Sequence, residues 1–291
     1  MSDPIIRPLA VEDLDDALRL STVAEWNQRL DDWRMLRRLA PAGAFAAVLD
    51  SRMVGTAIGI DYGAFAWIAM MLVDPAYRGR GVGRCLLEAA LDAAPSNVPI
   101  RLDATPMGRP LYQRYGFEDE AALSRLVIDH AGAPRRDPLP IAVEPLTDAD
   151  LAVVVEQDRD AFGGSRGAVL DWVFHGATKY AYVARRDNGV LDYCFGRQGR
   201  LFDQIGPVIS GDDDSAHALV SAALAGAGDR RVAVDAFDSR TEFAAALRGD
   251  GFIVERPLVR MCRRANSSGG RRDAAGPGHI HEFAILGPEF A

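Results

Sequence analysis

Val73-Asp74-Pro75-Ala76-Tyr77-Arg78-Gly79-Arg80-Gly81-Val82-Gly83-Arg84 joins two different hydrophobic patterns. Before it runs Ala66-Trp67-Ile68-Ala69-Met70-Met71-Leu72-Val73, a near-continuous apolar series of the kind a strand buried on both faces produces. Asp74-Pro75 ends that strand, because proline cannot donate to a ladder. After it, Val82, Cys85, Leu86, Ala89, Ala90 and Ala93 recur at helical spacing, with Arg84, Glu88 and Asp92 on the opposite face. Cys85 therefore reads as a buried packing residue. At the junction, Gly79, Gly81 and Gly83 let several backbone N–H groups turn towards one point without Cβ obstruction. The positive end of the helix dipole faces the same point. Together these predict an anion site suited to a phosphate or diphosphate, with Arg78, Arg80 and Arg84 as charge-assisted donors. The segment is not a Walker loop, since no Gly-Lys-Ser/Thr follows. It is not the dinucleotide fingerprint either: the glycine spacing differs and the unit follows a hairpin. An arginine-glycine RNA-binding run would be longer and would not sit on a strand-helix junction.

Upstream, Phe45–Leu49 and Val54–Ile60 flank the turn Asp50-Ser51-Arg52 and predict that hairpin. Downstream, Ile100–Ala104 predicts a strand and Gly108–Tyr115 a helix, which Gly116 ends. The stretch 131–140 carries three prolines mixed with charge and predicts an extended linker; 266–278, rich in Ser, Gly and Arg, predicts a mobile loop, with Phe283–Leu286 as a returning strand. The linker's flanks echo one another. Ile5-Ile6-Arg7-Pro8-Leu9 and Ile141-Ala142-Val143-Glu144-Pro145-Leu146 each read as a short strand before a helix with an acidic first turn. Asp103-Ala104 before Gly116-Phe117 returns as Asp235-Ala236 before Gly251-Phe252. We read this as duplication of a module of about 130 residues.

Composition narrows the function. The chain has 291 residues and a formal net charge of −8, a poor balance for holding a nucleic-acid backbone across a wide face. It favours, if anything, a cationic partner. No apolar run is long enough for a spanning helix, and the N-terminus lacks the basic flank and apolar stretch of a secretory signal. Three widely spaced cysteines, Cys85, Cys194 and Cys262, suit a reducing cytosol, so a cytoplasmic location without membrane or nucleic-acid partners is expected. No His/Asp/Glu cluster has metal-ligand spacing, and no metal is expected. Lys179 is the only lysine among 33 basic residues, so arginine clusters carry less weight than usual here. Oligomeric state leaves no signal in the sequence.

Arg78-Gly79-Arg80-Gly81-Val82-Gly83, after a strand ending Val73-Asp74-Pro75, resembles the acyl-CoA diphosphate loop of the GNAT superfamily of N-acetyltransferases, Gln/Arg-x-x-Gly-x-Gly/Ala. Leu111-Tyr112-Gln113-Arg114-Tyr115-Gly116-Phe117 is similar to that family's second signature, Leu-Tyr-x-x-x-Gly-Phe, in the expected order and spacing. The similarity covers about residues 5–130; the second half resembles the same module more faintly, as in tandem members. The resemblance implies an α+β fold of two GNAT-like modules, 1–130 catalytic and 141–291 degenerate, each a mostly antiparallel sheet flanked by helices. It implies acetyl-CoA as acyl donor and a small-molecule or peptide amine as acceptor, attacking directly in a ternary complex. Met71, Leu72 and Val73 would pair through their backbones with the pantetheine arm. The N–H groups of Gly79, Arg80, Gly81, Val82, Gly83 and Arg84 would hold the diphosphate, with Arg78 beside them. Tyr112 would protonate the leaving thiolate, a role that suits a phenol, whose pKa near 10 is close to that of a thiol.

The proton acceptor for the amine is less defined. Asp61 and Asp103 lie near strand ends and could serve, or could be turn and surface aspartates. Trp26 and Asn27, beside Glu25, lie where GNAT proteins often wall the acceptor. In the second half the loop position reads Ile205 to Ser215, with Asp212, Asp213 and Asp214 at a helix start; they would saturate the amides and repel a diphosphate. The tyrosine helix becomes Phe243-Ala244-Ala245-Ala246-Leu247, without the acid. This half is expected to bind no CoA and to supply one wall of the acceptor pocket, with His175, Tyr180 and Tyr182 as possible contributors. A non-catalytic acyl-CoA-binding sensor or scaffold is the alternative reading.

Overall fold

The computed structural model describes residues 3–130, 141–186, 189–265 and 281–291; the sequence-predicted linker and the 266–278 loop lie outside them. The first half runs β1 (Ile5–Pro8), α1 (Leu14–Val23), α2 (Leu30–Leu39), β2 (Ala44–Leu49), β3 (Arg52–Asp61), β4 (Ala66–Val73), α3 (Val82–Ala93), β5 (Ile100–Ala104), α4 (Arg109–Arg114) and β6 (Glu118–Ile128). The second runs β7 (Val143–Pro145), α5 (Asp148–Phe162), α6 (Gly167–Gly176), β8 (Tyr182–Arg185), β9 (Leu191–Arg197), β10 (Asp203–Ile209), α7 (Asp213–Ala225), β11 (Val232–Phe237), α8 (Thr241–Gly249) and β12 (Ile253–Arg263), then adds β13 (Glu282–Ile285). Apart from β13 the succession of strands and helices is the same twice, as duplication requires.

Local chemistry accounts for the boundaries. The β2–β3 hairpin turns on Asp50 and Ser51, with φ of 51° and 61°, the left-handed pair that matches strand twist in a two-residue turn. Helix α2 begins with Asp32 accepting from the Arg29 N–H at 2.6 Å and ends in Arg37 and Arg38, each charge at the favoured pole. Gly116, at φ 80°, follows α4.

The sheets expected as separate are one. The strand order is β1-β2-β3-β4-β5-β12-β6-β11-β13-β10-β9-β8-β7. Strand β12 of the second half pairs with β5 and β6, and β6 pairs in turn with β11. Each half thus sends its last long strand between strands of the other, and β1 and β7 become the edges of the joint sheet. Among the described residues, only β4–β5 and β10–β11 are parallel.

The core is shared as well. Trp33, Trp67, Phe162, Phe174, Tyr193, Phe195 and Phe290 belong to one buried cluster drawn from both halves. Tyr62 and Phe162 meet edge-on at 5.0 Å across the junction. Full burial of each such side chain contributes about 1.5–3 kcal/mol, so the halves are held as one body. Helices α3 and α4 cover the opposite face of the first half, and α7 and α8 that of the second.

Candidate active site

The apolar series Ala66–Val73 hides a break in its own alternation. Met70 has φ 51°, and the β3–β4 register slips between Thr56↔Leu72 and Ile58↔Ala69. Before this bulge Ala66 and Ile68 face the α3 side and Trp67 and Ala69 the α1/α2 side; after it Met70 and Leu72 take the α1/α2 side, and Met71 and Val73 the α3 side. One extra residue bends the strand and resets which face each side chain meets. Beyond Ala66↔Ile100 and Trp67↔Arg101, β4 and β5 stop pairing. The two strands therefore splay at their C-terminal ends and leave a cleft between them.

The glycine loop closes that cleft. Asp74 holds its start, accepting from the Ala76 N–H at 3.1 Å while Arg19 reaches it at 3.4 Å. Gly79 and Gly81 have φ of 75° and 80°, yet an added Cβ at either would meet nothing within 4 Å. Backbone conformation, rather than space, requires glycine there. Gly81 is the N-cap of α3 and no side chain caps the helix, so its first amides stay available. The arginines differ from expectation. Arg78 donates to the Val73 carbonyl at 3.3 Å, Arg80 stacks over Tyr77 at 5.1 Å, and Arg84 lies 4.0 Å from Glu88. Of the three, only Arg78 lines the cavity.

That cavity has a volume of about 1210 Å³ and is continuous from the loop to the second half. Its donor end is lined by Met71, Leu72, Val73, Gly79, Gly81, Val82 and Gly83. Tyr112, on α4, lines it too, with its ring packed on Phe117 at 6.0 Å. Gly108 makes room: a Cβ there would stand 3.0 Å from the ring. The Tyr112 hydroxyl has no hydrogen-bond partner among the described residues, and burial pushes its pKa above the ordinary tyrosine value. Tyr115 instead donates to Glu88 at 2.6 Å, and Cys85 is half-buried rather than buried.

Of the four candidate acceptor residues, Trp26, Asn27 and Asp103 line the cavity and Asp61 does not. Asp61 is exposed at the β3–β4 turn and accepts from the Gly63 N–H at 2.8 Å, away from the cavity. Asp103 borders the cavity, but its carboxylate is buried and gripped by Arg260 of β12 at 2.9 and 3.0 Å. Strand exchange supplies that partner, which no local pattern announces. Asn27 lines the cavity with its amide spent on the second half, donating to the Phe202 carbonyl at 3.0 Å and accepting from the Leu201 and Phe202 N–H groups. Trp26 lines it half-buried, and its carbonyl accepts from Arg200. His175, Tyr180 and Tyr182 lie elsewhere; Tyr180 donates to Asp203. The second half lines the cavity through Arg197, Phe202, Arg256, Leu258 and Glu289.

The matching place in the second half is filled. Strands β10 and β11 pair at Asp203↔Val232 and Gln204↔Ala233, then part as β4 and β5 do. Into the gap comes β13, pairing Ala284 with Val208 on one side and with Ala236 on the other. The N-terminus of α7 is occupied too: Asp212 accepts from the Ser215 N–H at 2.8 Å.

Two family models, each described as an acetyltransferase (GNAT) domain, match residues 41–119 and 154–274, together more than half of the chain. The chain belongs to the GNAT family. It is a two-module GNAT acyltransferase. It is 26% identical to the uncharacterized N-acetyltransferase YitH of Bacillus subtilis (strain 168), over 77% of this chain and 79% of that one. It is 24% identical to the holothin acyltransferase of Pseudoalteromonas sp. (strain SANK 73390), over 90% and 89%. The fold is similar to that of a putative acetyltransferase from Pyrococcus horikoshii, with TM-score 0.78 and 21% identity over 99% and 96% of the chains. It is also similar to a tandem GNAT protein from the clavulanic acid biosynthesis pathway, with TM-score 0.63 and 18% identity over 92% and 100%. Among the described residues, no helix of this GNAT protein is long and apolar enough to cross a membrane.

Proposed function

We propose that this protein is a cytoplasmic enzyme that moves an acetyl group from acetyl-CoA to a primary amine by direct attack in a ternary complex, with 1–130 as the catalytic module and 141–291 as the module that shapes the acceptor pocket. The observation that carries this reading is the single cavity in which an unpaired strand edge, an uncapped helix N-terminus and a buried tyrosine open towards one another. The backbones of Met71, Leu72 and Val73 are the groups to pair with the pantetheine arm. The N–H groups from Gly79 to Arg84 are those to hold the diphosphate. A backbone N–H near Met71 is placed to steady charge on the carbonyl oxygen. Tyr112 gives its hydroxyl proton to the departing sulfur. Its raised pKa keeps that proton in place at neutral pH. Glu25 lines the acceptor end with no arginine partner among the described residues, and we assign it to accept the amine's proton, directly or through water.

Tyr112→Phe tests the reading. The turnover number with an accepted amine should fall by about 10²–10⁴-fold, while the Kd for acetyl-CoA holds within about twofold. The wild-type rate should show no alkaline loss until the pH passes the ordinary tyrosine pKa of about 10, because the folded protein holds the proton more tightly than free tyrosine does. Unchanged turnover in Tyr112→Phe would remove the acid role. CoA binding with neither transfer nor hydrolysis across a panel of amines would favour the sensor reading.

A further inference from the structure

The far end of the cavity is crowded with guanidinium groups, and most of them are neutralised by carboxylates. Arg125 holds Asp235 through two bonds of 2.7 Å. Arg197 holds Asp32 at 3.1 Å and also Glu289. Arg231 reaches Glu255 at 2.9 Å and Asp129 at 3.0 Å. Arg200, at the exposed rim, donates to the Trp26 carbonyl. Arg256 is different. Among the described residues no carboxylate pairs with it, although Asp235, Glu255 and Glu289 are close enough to be felt and each is held by another arginine. Its Nε is buried without a partner. It also stands directly opposite Arg125 across the β12–β6 ladder, just past a slip in register between Val254 and Arg256. Like charges facing one another across strands are destabilising, and a half-buried guanidinium without a carboxylate partner adds a desolvation cost. Burial and the Arg125 charge push the Arg256 pKa below its ordinary value. Arg256 is thus an arginine on the cavity wall with no carboxylate partner among the described residues.

We propose that Arg256 recognises an oxyanion on the acceptor, so that the substrate is an amine that also bears a carboxylate or phosphate. This rests on the acetyl-transfer reading, and it reverses for the acceptor site the bias that the net negative charge suggests for the whole chain. An incoming oxyanion would meet the donors of Arg256 and offset its repulsion from Arg125.

Paired substrates test it: phenylalanine against phenethylamine, and glucosamine 6-phosphate against glucosamine, with acetyl-CoA saturating and CoA release followed. The two pairs separate a carboxylate from a phosphate. The charged member of at least one pair should have a KM at least 10-fold lower. Arg256→Met should raise that KM by about 10- to 100-fold, leave the Kd for CoA unchanged, and be partly rescued by Arg256→Lys. In parallel, inorganic phosphate is titrated by calorimetry into CoA-saturated protein, where the diphosphate loop is already filled; wild type should bind it and Arg256→Met should bind it at least 10-fold more weakly. Thermal melts confirm that both variants fold, and the phosphate titration decides should no panel member turn over. Preference for the uncharged amines, equal phosphate binding by wild type and Arg256→Met, or a weakened CoA Kd in the variant would each overturn the inference. Failure of wild type to bind CoA would instead strike the acetyl-transfer reading.

Discussion

The clefts between β4 and β5 and between β10 and β11 begin alike and end differently. Both open after two residues of parallel pairing, and both follow a strand whose register slips. In the first, the strand edges face a cavity and α3 starts on a bare glycine. In the second, β13 supplies hydrogen-bond partners to both edges and Asp212 caps α7. A splayed pair of strands leaves N–H and C=O groups that must be satisfied. This GNAT chain answers that demand in the second cleft with its own tail, while in the first the strand edges border an open cavity. The same tail then carries Pro288 and Glu289 onto the wall of the cavity at the first cleft, so the segment that fills one cleft also borders the other.

The largest expected effect comes from the open cleft. Gly81→Val places a β-branched residue at φ 80°, a strain of about 1–3 kcal/mol, and should weaken acetyl-CoA binding by about 10- to 100-fold in calorimetry. Binding within threefold of wild type would mean that the loop does not hold the donor. The filled cleft is sharpened by Gly206→Ala, whose Cβ would stand 1.9 Å from the Ile285 carbonyl oxygen. Loosening β13 should cost about 1–3 kcal/mol of stability and raise the acceptor KM while the acetyl-CoA Kd stays put. A change in the donor affinity alone would contradict the division between the clefts. The smallest effect is that of Asp212→Ala, which removes a helix cap worth about 1 kcal/mol. The melting temperature should drop by a few degrees, and no second CoA site should appear, because β13 still fills the gap.

What the sequence made legible follows physical range. The hairpin at Asp50-Ser51, the buried strand before Asp74-Pro75, the α3 helix and the glycine loop are local patterns, and each lies where it was expected, although the buried face of α3 is Val82, Leu86, Leu87 and Ala90 rather than the stripe through Cys85 and Ala93. The bulge at Met70 was invisible, because an apolar run reads the same on either face. Strand exchange between β6 and β12 was invisible for another reason: two strands of similar pattern can pair with either sheet, and only the assembled fold chooses. Contacts between the two halves decide two of the site residues. Asp103 looked free until β12 brought Arg260 against it, and Asn27 looked like a substrate contact until the loop 199–202 claimed its amide. Arg256 and Glu289 reach the pocket from residues far along the chain, where no motif marks them.

Calorimetric titration of acetyl-CoA into the full chain tests the asymmetry between the halves most directly. One molecule bound per chain, with the heat lost in Gly81→Val, is the predicted result. Two molecules per chain, or binding that survives Gly81→Val intact, would contradict it.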